Sequence, residues 1–137
     1  MRSSSVFFGL CSISVAATCV AELQVEPLPG DAPAGFSQFF TKYVDVLGVG
    51  VYATSGTQDA KVLRVANVIA QYIDNDEDGV ADDPAVLTFM VEHNAAMIMW
   101  PTFQQFENSD FFDSIPERSA EFLQDCMGEE THPDWEE

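Results

Sequence analysis

Asp74, Asp76, Glu77, Asp78, Asp82 and Asp83 crowd into one short run of the chain, and no Lys or Arg interrupts it. The alternation Asp74, Asp76, Asp78 followed by Gly79 is the spacing with which a short loop surrounds a hard cation. Calcium takes about six to eight oxygen ligands at about 2.3–2.6 Å, and a glycine after the third carboxylate permits the turn that returns later oxygens to the ion. Magnesium suits the pattern less well, because it keeps several of its waters. The plain alternative is a solvated acidic turn with no dedicated ion. Two unit charges about 6 Å apart repel by roughly 0.7 kcal/mol in bulk water, and by more beside protein. An ordered run of six acids therefore stores several kcal/mol of repulsion unless it stays mobile or a divalent ion neutralises it.

The elements around the run read as helices. The stretch Asp59–Ile73 carries Val62, Val65, Ala66, Ile69, Tyr72 and Ile73 on one stripe, with Arg64, Asn67 and Gln71 opposite, which predicts an amphipathic helix ending at the acidic loop. Ser55 to Gln58 has the form of a capping box before it. After the loop, Asp83 as N-cap and Pro84 at the first helical position predict a third helix. Its expected buried face is Val86, Leu87, Met90, Val91, Met97 and Ile98, and Pro101 stops it. Asn94 falls within that apolar stripe as a core amide needing partners. Upstream, Phe36, Phe39, Phe40, Tyr43, Val44 and Leu47 recur at helical spacing, so 36–47 reads as a first helix closed by Gly48. The segment 49–53 is open between a strand and an extended connection. Phe103, Phe106, Phe111 and Phe112 are expected to pack back over the helix pair, with a partner-binding patch as the alternative. Met90, Met97 and Met99 read as core, the alternative being an adaptable groove. A capping box from Ser114 to Glu117 predicts a last helix with Phe122, Leu123 and Cys126 inward and Gly128 at its end. The expected fold is thus all-α, about four helices around one helix–loop–helix.

Helix, acidic loop, helix resembles the EF-hand family of calcium loops, over about forty residues. In that register Asp74, Asp76 and Asp78 take positions one, three and five, Gly79 takes six, Val80 offers its carbonyl at seven, and Asp82 falls at nine. The family's bidentate Glu at position twelve is replaced by Ala85; Asp83 is the substitute at hand, two residues early. The resemblance implies a metal set of Asp74, Asp76, Asp78, Val80, Asp82 and Asp83. Lacking the strong closing ligand, it implies a weak, structural calcium site, on the order of 10⁻⁴–10⁻³ M.

The N-terminus reads as an address. Arg2, the apolar stretch Val6–Val15 and the small residues Cys19-Val20-Ala21 before Glu22 predict a signal peptide over 1–21, too short for a membrane span. Thr18 argues against a lipoprotein signal at Cys19. Cleavage leaves a Pro- and Gly-rich leader over 22–35, a helical domain over 36–128 and an acidic tail over 129–137. It also leaves Cys126 as the single cysteine, expected to be buried. Only Lys42, Lys61, Arg64 and Arg118 then oppose 23 acids. Such a surface repels nucleic acid and anionic membrane, and cations and basic proteins are its expected partners. The two histidines, His93 and His132, have no zinc spacing, and neither HExxH nor GxSxG is present, so no catalytic residue is assigned.

The stretch from Val65 to Gly79 is also similar to a group of uncharacterised secreted proteins. Longer members continue past a segment like Glu129–Pro133, and some carry a metal-peptidase-like Glu and His motif. That resemblance implies that this chain is an N-terminal portion lacking the catalytic half. The expected function is a secreted calcium-binding protein. The alternatives are part of a secreted metal-dependent hydrolase, or an interaction module using the segment 103–112.

Overall fold

Leu47 and Gly48 both adopt positive φ, 52° and 92°. Two such residues between paired strands form the mirror-image turn whose twist matches that of a hairpin. The strands it joins are β2 (Lys42–Val46) and β3 (Val49–Ala53), antiparallel with Val46 opposite Val49. The computed structural model describes residues 22–116. The signal peptide expected over 1–21, the helix expected around Phe122, Leu123 and Cys126, and the tail with His132 all lie outside the described residues.

The hairpin is the centre of a four-stranded mixed sheet ordered β1-β2-β3-β4. The two-residue β1 (Glu26–Pro27), in the segment read as a leader, pairs antiparallel with β2. β4 (Ala96–Met99) runs parallel to β3, with Gly50 opposite Ala96 and Ala53 opposite Met99. A parallel pair needs a long crossover. Here it holds α1 (Asp59–Ile73), the acidic loop and α2 (Pro84–Glu92). Beyond β4 follow two short helices, α3 (Phe103–Glu107) and α4 (Phe111–Ser114).

The fold is therefore α/β, and the all-α expectation is overturned at two places. Over 36–47 only Phe36–Gln38 is helical, as one 3₁₀ turn. The apolar positions fit a helix, but Val44 and Val46 alternate with Tyr43 and Asp45 across the faces of β2, and pairing with β3 decides the outcome. Gly48 ends no helix; it turns the hairpin. The helix expected to reach Ile98 stops at Glu92. Asn94 takes φ 52°, the Asn94 amide donates to the Val91 carbonyl at 3.1 Å, and the Ala95 amide donates to the Met90 carbonyl at 2.8 Å. That is a Schellman cap, with Asn in the left-handed position. Asn94 is exposed, a terminator rather than a core amide. Met97 and Ile98 belong to β4, and Val86 and Val91 are largely exposed.

Each face of the sheet has its own core. Val44, Val46, Val49, Val51 and Ala53 meet Val62, Ala66, Ile69 and Ile73 of α1. The other face is aromatic. Phe36 meets Tyr52 edge-on at 4.8 Å, Phe40 meets Trp100 at 4.9 Å, and Phe39 meets Phe111 at 5.2 Å. The phenylalanine segment thus packs on the sheet face opposite α1, not over a helix pair. The start of α1 is held by Lys42, whose Nζ donates to the Thr57 carbonyl and to Asp59 Oδ1, each at 2.6 Å. Gln58 is the N-cap and makes no side-chain cap bond, so the capping box expected from Ser55 does not form. Among the described residues no helix is long and apolar enough to cross a membrane.

Candidate metal centre

The acidic loop begins where α1 ends. Ile73 is buried, and the next residue, Asp74, is 7% exposed, a rare position for a carboxylate. It is tolerated because its oxygens are used: Oδ1 accepts the Asp78 amide at 3.1 Å and Oδ2 accepts the Gly79 amide at 2.8 Å. Asp78 Oδ1 in turn accepts the Val80 amide at 2.8 Å. These bonds roll the chain into a tight bend in which Glu77 and Gly79 take φ of 58° and 85°. The glycine after the third carboxylate supplies the left-handed conformation that the spacing anticipated.

The loop closes through Asp82. Its amide donates to the Ile73 carbonyl at 2.9 Å, and its Oδ2 accepts the Asn75 amide at 3.0 Å. Nothing in the residue types announced this backbone closure, which joins the two ends of the loop. Asp83 Oδ1 accepts the amides of Ala85 and Val86 at 3.1 and 3.2 Å, so this carboxylate caps α2 as expected from its place before Pro84.

Asp74, Asp76 and Asp78 are brought together. Each offers one carboxylate oxygen, and the three oxygens lie within 4.8 Å of one another. A ring of that size matches oxygens arranged around one cation at about 2.3–2.6 Å from each. The geometry is costly for the charges: the Asp76 carboxyl is raised above its ordinary range, first by the negative charge of Asp78, and further by a side-chain hydrogen bond with Asp74. The donor set is all oxygen, which suits a hard ion and not a soft one. Of the remaining residues expected to ligate, Asp82 stands against the start of the loop through Asn75, Asp83 serves α2, and the Val80 side chain is 62% exposed, leaving its backbone as its contribution.

His93, on the exposed end of α2, stacks on Phe89 with ring centroids 4.1 Å apart and lies outside this cluster. Compared with known proteins, the chain matches no family model, no curated protein and no solved structure.

Proposed function

We propose that the protein is a secreted calcium-binding domain in which the loop 74–83 holds one ion in a structural role. The observation that carries this reading is the convergence of Asp74, Asp76 and Asp78, three carboxylate oxygens within 4.8 Å of one another at the end of α1. A divalent cation there relieves the repulsion that lifts the Asp76 carboxyl. It also ties the end of α1 to the start of α2, since the loop is the only covalent link between them. Asp82 and the Val80 carbonyl complete the proposed set, with water supplying further oxygens. The site is weak, because no bidentate closing ligand follows. A weak site suits an extracellular setting, where calcium is millimolar and steady.

The test is calorimetric titration of the chain from Glu22 onward with calcium and, separately, magnesium. The expected dissociation constant is on the order of 10⁻⁴–10⁻³ M for calcium. At ten times that concentration, linkage stabilises the fold by about 1.4 kcal/mol, a rise in melting temperature of roughly 5–10 °C. A flat titration with an unchanged melt overturns the reading. Secretion is tested by expressing the full chain and sequencing the exported product, which should begin at Glu22.

A further inference from the structure

Between α1 and α2 runs a groove of about 750 Å³, floored by Met97 and Met99 of β4 and open to solvent along one side. That volume falls within the range of small-molecule sites, about 300–1,000 Å³. Its walls are apolar and wet: Tyr72 is 86% exposed, Val86 54% and Val68 46%. Its charges are sorted. The cations among the described residues are Lys42, Lys61 and Arg64. Lys61 and Arg64, one turn apart on α1, both border the groove at one end. Asp82 and Asp83 border the other end. A chain with a net charge of −18 thus places both of those cations at one end of an apolar trough. From Lys61 to Ile73 the helix rises about 18 Å, close to the length of an extended myristoyl or palmitoyl chain.

The geometry points to a binding site for a free long-chain carboxylate, its head group on Lys61 and Arg64 and its alkyl chain over Val68, Tyr72 and Val86. Asp82 and Asp83 repel the head group and so fix the orientation. The methionine floor adapts to a flexible chain. A second copy of the protein is disfavoured by its own large negative charge, and a basic amphipathic helix would have to set cations beside Lys61 and Arg64. An anionic phospholipid surface is repelled by the acidic protein around the groove.

The experiment titrates the chain, in a Trp135→Phe background, with saturated carboxylates from decanoate to hexadecanoate and with the alcohols of equal length. Trp100, which lines the groove, reports by its fluorescence. The titration runs in calcium-free buffer below the melting point of the ion-free protein, so failure of the calcium reading does not decide it. Each added methylene should tighten binding by up to about fourfold until the groove is filled. The carboxylate should bind at least tenfold tighter than its alcohol. Lys61→Ala with Arg64→Ala should erase that preference while leaving the alcohol unaffected, and Val68→Asp, at an exposed position, should weaken both ligands. Equal binding of acid and alcohol overturns the proposal. So does a preference that survives the double substitution, binding to phospholipid vesicles alone, or a dimer by light scattering that covers the groove.

Discussion

Asp74 and Gly79 are locked together: the buried carboxylate accepts the glycine amide at 2.8 Å, five residues along the chain. One side chain therefore has two duties, shaping the loop and supplying negative charge. Two substitutions separate them. Asp74→Asn keeps one of the two accepting oxygens and should destabilise the ion-free protein less than Asp74→Ala does, while calcium affinity falls at least tenfold. Asp74→Ala strands the Asp78 and Gly79 amides and should destabilise even without calcium, by about 1–3 kcal/mol. Equal loss of stability in both variants would show that charge, not hydrogen bonding, holds the bend.

Leu47 occupies a left-handed position in the hairpin at φ 52°, with its side chain 38% exposed. A branched apolar residue is strained there, and Asn before Gly is the favoured pair for this turn. Leu47→Asn should raise stability by about 0.5–1 kcal/mol in urea unfolding, with the slope of the transition unchanged.

Tyr52, 7% exposed, sits under Phe36 and beside Tyr43, and burial pushes its hydroxyl up to about 12, with Asp31 adding to the effect. Tyr43 is raised as well, first by burial and then by Asp45, whose carboxylate accepts its hydroxyl at 3.0 Å. In the unfolded chain a tyrosine titrates near 10. Between about 10 and 12 the native state therefore holds the proton that the unfolded state has lost, and stability declines as pH rises through that window. The stabilisation from the Tyr52 proton is fully present below about 10 and is lost by about 12. Melting temperatures taken across this range should fall, and Tyr52→Phe should lessen the fall.

Phe111 is 2% exposed and meets Phe36, Phe40 and Trp100 at 5.7, 5.5 and 5.2 Å. Phe111→Ala should cost about 3–5 kcal/mol by opening a cavity in the aromatic layer. Phe112→Ala, at a side chain 55% exposed, should cost far less. Thermal melts of the two variants decide whether α4 is part of the core or an appendage.

The helix before the acidic loop and the start of the one after it were legible in the residue pattern, and the sheet was not. The helix Asp59–Ile73, the cap at Asp83 and the bend at Gly79 all follow from short-range chemistry, and they are where the pattern put them. β2 and β4 were missed because their pairing partners are distant and their own residues mislead. Ala96 and Met97 favour helices, yet Ala95 to Trp100 is an unbroken apolar run, the signature of a parallel strand covered on both faces. Lys42 to Leu47 carries a two-residue alternation inside a stripe that also fits a helix. The three converging carboxylates were readable from spacing alone. The closure through Asp82 and Ile73 was not, because a backbone bond leaves no mark in side-chain types.

Gly50 and Ala96 are neighbours in space but stand on opposite sides of the entire α1–loop–α2 crossover. That separation orders the assembly. The β2–β3 hairpin, built from local contacts, is expected to form first, and the fourth strand to dock after the intervening segment has doubled back on itself. Because the mutual repulsion of the aspartates opposes that return, millimolar divalent salt should speed refolding in stopped-flow experiments more than it slows unfolding. Monovalent salt at equal ionic strength should give a smaller acceleration.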